Sequence, residues 1–370
     1  MTEVELGRGK RARVAYSLDD VAIAPSRRTR DPQDCSTAWR LDAYSFDLPV
    51  LAAPTDSVVS PTTAAMLGEL GALGVLNLEG LWTRYEDPEA VLAEIRQLAP
   101  DNAVPRLQEL YRTPISPELM RTRVRELRDL GITVACALSP QRAEEFAEIV
   151  IDSGVDIFVI RGTTVSAEHV STSAAPLNLK RFIYDLDVPV VVGGVATHSA
   201  ALHLMRAGAA GVLVGFGGGA THTTHQVLGV RVPMASAIAD VAAARSDYLD
   251  ESGGRYVHVI ADGGMGSTGD IVKAMACGAD AVMVGSMLAR ATEAPGHGRH
   301  WGMEAVHANL PRGELVELGT VGGLADILRG PSGMSNGLMN IGGALRRAVA
   351  TCGYADLKEF QRVDVVVRAS

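Results

Sequence analysis

The chain reads Val257-His258-Val259-Ile260-Ala261, then Asp262-Gly263-Gly264-Met265-Gly266-Ser267, then Thr268-Gly269-Asp270-Ile271-Val272-Lys273-Ala274-Met275-Ala276, and, past Gly278, Ala281-Val282-Met283-Val284-Gly285. The first and last runs are short, aliphatic and lack polar alternation. Such runs predict strands buried on both faces, as in a parallel sheet. The segment between them has helical spacing, and Gly278 offers the left-handed residue that stops a helix. Together they form one strand–helix–strand unit, with a glycine-rich loop where the first strand ends.

The unit recurs outward from this stretch. Similar runs lie at 48–53, 73–77, 132–138, 156–160, 188–192 and 211–215, making eight with the two above. Helical patterns cover 119–130, 144–151, 199–206 and 268–276, and stop at Gly131, Gly154, Gly208 and Gly278. Ser116-Pro117 supplies a cap and a first-turn proline for one of them. Eight such units predict a closed (β/α)8 TIM barrel of class α/β. An open doubly wound sheet is the alternative that strand counting leaves standing. With no Pro/Gly/Ser linker and no internal repeat, residues 1–370 are expected to form a single domain, with an N-terminal arm (1–45) and a C-terminal extension (292–370). Two connections, 79–113 and 230–254, are long, and 292–318 is irregular.

Composition narrows the function. An apolar fraction of 47% excludes a disordered chain, and four cysteines in 370 residues are too few for a disulfide scaffold. They read as free thiols in a reducing compartment. A net charge of −9 argues against a nucleic-acid surface. No apolar run reaches the roughly 20 residues of a membrane span, and residues 1–10 lack a signal core. A cytoplasmic protein with no membrane or nucleic-acid partner is expected.

Barrel chemistry sits at strand C-termini, often with a phosphate site after the seventh and eighth strands. There the sequence places Asp262-Gly263-Gly264 and Gly285-Ser286. Glycines let amides approach an anion, and the following helix would aim its positive end at it. Asp262 can accept from ribose hydroxyls. A plain reading makes the same glycines ordinary turns. The loop Gly215-Phe216-Gly217-Gly218-Gly219-Ala220-Thr221-His222-Thr223-Thr224-His225 is longer and more polar than a turn needs. Its two histidines lack a nearby Cys, Asp or Glu to complete a zinc set.

Taken in order, these pieces resemble the IMP dehydrogenase/GMP reductase family. The resemblance is carried by Tyr16-Ser17-Leu18-Asp19-Asp20-Val21, Ala53-Pro54-Thr55-Asp56-Ser57-Val58, Gly193-Gly194-Val195-Ala196-Thr197, and most closely by 260–274 and 278–289 with Glu293-Ala294-Pro295-Gly296. It implies a purine nucleoside monophosphate ligand, an NAD cofactor, oxidation of IMP to XMP in guanine nucleotide synthesis, and a homotetramer. Asp262 would hold the ribose hydroxyls, and Gly263, Gly264, Gly285 and Ser286 the phosphate. Gly217 and Gly219 fall on the family's loop for a monovalent cation such as potassium. His222 and Thr224 fall at the reaction centre.

The departures are specific. The family's nucleophilic Cys is His222, its phosphate-binding Ser is Ala220, and the Asn after strand five is Gly194. The Asp that would meet the nicotinamide ribose is replaced within Arg161-Gly162-Thr163-Thr164. The segment 303–313 keeps Arg312 but has no Tyr for the family's Arg-Tyr pair, and 79–113 is too short for the paired CBS module. The pattern resembles the CBS-less, IMP dehydrogenase-related subgroup. Imidazole is a poor substitute for a thiolate in covalent catalysis, but a competent general base. Two readings follow: an NAD-linked oxidoreductase on a purine nucleotide, or a catalytically silent nucleotide-binding or regulatory barrel.

Overall fold

The computed structural model describes residues 3–170, 172, 176–306 and 313–368. Eight parallel strands form a closed barrel: β1 (Val50–Ala52), β2 (Leu73–Asn77), β3 (Ala135–Leu138), β4 (Ile157–Arg161), β5 (Val190–Val195), β6 (Gly211–Val214), β7 (His258–Asp262) and β8 (Ala281–Val284). Closure is direct, since Val282, Met283 and Val284 of β8 pair with Val50, Leu51 and Ala52 of β1. All eight expected runs are strands, and the closed barrel displaces the open sheet.

Alternation along each strand divides the core. Leu51, Val75, Ala137, Ile157, Val159, Val191, Leu213, Ile260 and Met283 fill the barrel interior. The intervening residues, such as Val50, Phe158, Val192 and Val282, pack outward against the helices. The lower end of the barrel is plugged by a hairpin, Trp39–Leu41 with Tyr44–Phe46. Trp39 stacks on Phe46 with centroids 5.2 Å apart and donates its indole N–H to the Leu48 carbonyl at 2.8 Å. That plug covers the end of the barrel opposite the strand C-termini.

The expected helix stops hold: Gly131, Gly154, Gly208 and Gly278 have φ of 71°, 93°, 109° and 112°. Ser116 caps helix Pro117–Asp129 by accepting from the Leu119 amide. One expectation changes. The connection 230–254 contains a helix, Met234–Glu251. Alanine and short polar residues dominate it, so its apolar face gives little contrast in the sequence. Between β2 and β3 lie three helices, Glu89–Ile95, Pro100–Leu110 and Pro117–Asp129, and no inserted module. The irregular stretch after β8 holds a second hairpin, Arg299–Trp301 with Leu315–Glu317. The expected arm and extension meet: Val21–Ala24 pairs antiparallel with Asp364–Val367.

Candidate functional site

The loops after β1, β4, β6, β7 and β8, with the hairpin beyond β8, enclose a cavity of about 340 Å³ at the mouth. Gly217, Gly219, His222, Asp262, Gly263, Gly264, Gly285 and Ser286 all line it. Thr224 is not among the lining residues. It is fully buried, and a Cβ on Gly217 would collide with its hydroxyl, so it supports the loop from behind. Arg312 lies outside the described residues.

Glycine at 263 and 264 has two physical reasons. Both have positive φ, 83° and 75°. A Cβ at Gly263 would also lie 2.9 Å from the Gly219 amide nitrogen, because the β6 and β7 loops pack backbone on backbone. Gly285 is constrained differently: a Cβ there would sit 3.0 Å from Nε2 of His300.

The helix-terminus expectation needs correction. Helix Thr268–Ala276 already has its N-terminus filled. Asp270 Oδ2 accepts from the amides of Gly266 and Ser267 and from the Ser267 hydroxyl. The Thr268 amide donates to the Gly337 carbonyl at 2.7 Å. After β8 there is only a short turn, Leu288–Arg290. An anion in the mouth would therefore rest on loop amides, the Ser286 hydroxyl and nearby cations rather than on a helix dipole.

Among the described residues, two arginines line the cavity, Arg161 and Arg231. Arg161 ends β4 and donates from Nε to Asp262 Oδ2 at 2.9 Å. Their side chains are 16% and 11% exposed. Burial pulls the guanidinium down, but the carboxylates of Asp262 and Glu304 outweigh it and leave Arg161 above its ordinary range. A charged residue closing an otherwise apolar strand was the available sequence signal for Arg161.

His222 and Glu304 meet across the mouth, with Nδ1 3.3 Å from Oε1 and side chains 9% and 10% exposed. Nδ1 makes no formed hydrogen bond, so the two groups are close neighbours rather than a bonded pair. His300 faces the same cavity from the hairpin, with Nδ1 2.7 Å from the Ser57 hydroxyl. Burial, reinforced by the charges of His222 and Arg161, lowers His300 to about 3, so its imidazole is neutral. His300 carried no periodic or motif signal, while Ser57 and Glu304 stood inside the Ala53–Val58 match and the 303–313 segment without being singled out. Their roles arise only when the hairpin folds over the mouth.

Asp56 anchors that hairpin. It is buried and accepts from the Tyr111 hydroxyl at 2.5 Å and the Leu81 amide at 3.0 Å. Tyr111 in turn accepts from the Trp301 indole at 2.9 Å. Burial raises Asp56 from 3.8 to about 6. A raised carboxyl binds more protons folded than unfolded, so its contribution falls as pH rises from about 4 to about 6. Asp56→Asn keeps an acceptor for Tyr111 and removes the titration. The wild-type advantage over this variant in urea unfolding should shrink by about 2 kcal/mol between pH 4 and pH 7.5. A pH-independent difference would contradict this.

No thiol reaches the mouth. Cys35, Cys136 and Cys352 are buried and Cys277 is half-buried, all four free. Burial raises Cys136, and it raises Cys277 to about 11, away from the reactive thiolate range. Among the described residues no three His, Cys, Asp or Glu side chains converge to hold a metal, and no helix is long and apolar enough to cross a membrane.

A closed (β/α)8 barrel with glycine-rich loops and an acidic residue at its mouth defines the class of fold. The chain belongs to the IMP dehydrogenase/GMP reductase family: residues 15–370 match the IMP dehydrogenase / GMP reductase domain. It is 52% identical to proteins named uncharacterized oxidoreductase from Mycobacterium tuberculosis and Mycobacterium leprae, over 98% of this chain and 99% of theirs. Its fold is similar to a crystal structure of an IMP dehydrogenase/GMP reductase-like protein from Corynebacterium glutamicum, with TM-score 0.95 and 50% identity over 99% and 98% of the two chains. The inosine-5'-monophosphate dehydrogenase of Methanocaldococcus jannaschii is 25% identical over 95% of this chain and 92% of that protein.

Proposed function

We propose that the mouth binds a purine nucleoside 5'-monophosphate and that the family's covalent oxidation of IMP is lost in this chain. The observation that carries the reading is convergence. Asp262, Gly264, Gly285 and Ser286, drawn from two strand ends, line one cavity of about 340 Å³, the low end of small-molecule sites. Asp262 would accept from the ribose hydroxyls with the lone pairs that Arg161 leaves. The amides near Gly264 and Gly285 and the Ser286 hydroxyl would hold the phosphate.

The nicotinamide side does not fit the NAD that the family resemblance implies. A ribose diol is held by an acceptor, and the β4 residue there is a guanidinium, which has none. No step is assigned to that cofactor. The position of the covalent nucleophile carries His222, and the cysteines lie elsewhere. A second reading keeps turnover without a covalent thiol, with His222 as general base. It is favoured by the Glu304 carboxylate beside that ring.

Calorimetry of the purified protein with IMP, XMP, GMP, AMP and inosine tests the binding. At least one purine monophosphate should bind, and inosine should bind at least about tenfold more weakly for lack of charge-assisted phosphate contacts. Ser286→Ala should weaken the monophosphate and leave inosine unchanged. Equal affinity for nucleoside and nucleotide would sink the phosphate assignment.

A further inference from the structure

His222 and Glu304 are 82 positions apart in sequence, yet both are almost fully enclosed at one lip of the mouth. Their juxtaposition is built by the chain on either side. The Glu314 amide donates to the Thr221 carbonyl at 2.9 Å, and the Gly313 amide to the Thr223 hydroxyl at 2.6 Å. Gly302 packs so closely that a Cβ there would lie 3.0 Å from the Thr221 hydroxyl and 3.1 Å from Glu304 Oε2. The segment that delivers the carboxylate is thus laced to residues 221–223, with the imidazole between the stitches.

We propose that Glu304 is the positioning residue of a His222–Glu304 proton-transfer dyad, which takes the place of a covalent nucleophile in this mouth. The inference rests on the nucleotide-binding reading only for the identity of the ligand. A carboxylate is acceptor-only, so the ring nitrogen beside it carries the proton. That leaves Nε2 with its lone pair. The Cδ2–Nε2 edge lies against Gly219, at distances of 2.9 Å and 3.5 Å from where a Cβ there would sit, and both residues line the cavity. A proton released by an N–H or O–H of the bound purine, or by a water it holds, goes to Nε2, and the conjugate base keeps the electron pair. Nδ1 keeps its own proton, and the resulting imidazolium is stabilised by Glu304. No oxidant enters this step. The ligand must therefore present a protic group, an N–H or O–H or a water, at the His222 end.

Several charged and titratable groups face this pair. Arg161 lies near enough for its charge to be felt by Glu304 and by His300. Asp262 is bonded to Arg161. His300 is neutral, so it does not compete for the carboxylate. The ring and the carboxylate do not yet share a linear hydrogen bond, which is common at catalytic contacts without ligand.

The test is nitrogen-15 NMR of histidine-labelled full-length protein, with His222 assigned by its loss in His222→Gln. In the wild type, neutral His222 should be the Nδ1–H tautomer. Glu304→Leu, which has no acceptor, should move at least half of the population to Nε2–H, and Glu304→Asp should keep most of the Nδ1–H form. Diethyl pyrocarbonate should carbethoxylate His222 about tenfold more slowly in Glu304→Leu than in wild type. A wild-type Nε2–H tautomer would overturn the dyad even if no Glu304 variant folds, as would unchanged tautomer and reactivity in Glu304→Leu. Addition of a purine monophosphate should protect wild-type His222 from the reagent. Failure of protection alone counts against the nucleotide reading and not against the dyad, since the tautomer is read without ligand.

Discussion

Asp262→Ala should lower the unfolding free energy by about 3 kcal/mol and abolish purine monophosphate binding. The stability loss comes from Arg161, not from Asp262 itself. Its guanidinium is 16% exposed and donates directly to the carboxylate. Removing one partner of a buried pair costs roughly 3–5 kcal/mol, because the survivor stays charged and unpaired. The lower figure applies here, since the pair borders a cavity that water can enter. The double variant Arg161→Met with Asp262→Leu should recover part of that loss, because it removes the orphaned guanidinium but also the cation that faces Glu304. It should not recover binding, since neither new side chain accepts a hydroxyl. Urea unfolding and calorimetry on the two variants read the halves separately. Equal stability of Asp262→Ala and wild type would show the pair to be electrostatically idle. Binding regained in the double variant would remove Asp262 from the site.

Gly80→Ala should cost about 3 kcal/mol or more in stability. Backbone conformation is not the reason, as φ at Gly80 is −90°. The new Cβ would fall inside the Asp56 carboxylate. Asp56 cannot retreat without giving up the Tyr111 hydroxyl and the Leu81 amide. Tyr111 would then lose its hold on Trp301, the neighbour of His300. The effect should therefore reach the mouth: nucleotide affinity should fall in any Gly80→Ala protein that folds. Pairing it with Asp56→Gly, which clears the space, should relieve the clash and recover part of the stability. An unaltered melting temperature in Gly80→Ala would refute this account.

Much of the architecture was legible because barrel strands are monotonous. Runs such as 156–160 and 281–285 are apolar without alternation, and glycines at 131, 154, 208 and 278 mark the ends of helices. Helix Met234–Glu251 escaped notice because alanines blur the contrast between its faces. Within the site, Asp262, Gly264, Gly285 and Ser286 stood out because they follow strand ends, where position predicts chemistry. Glu304 and His300 did not, because they belong to a hairpin whose placement depends on tertiary contacts such as Tyr111 to Trp301. The sequence suggested an anion-directing helix after β7. The structure shows that terminus occupied by Asp270, a competition between a local cap and a ligand that spacing alone does not resolve.

The Trp39–Phe46 plug has a kinetic meaning. With the barrel core filled and its lower end covered, a ligand reaches the site from the strand C-terminal face. Damage to the plug should therefore be felt in how fast the barrel unfolds and not in how fast a ligand leaves.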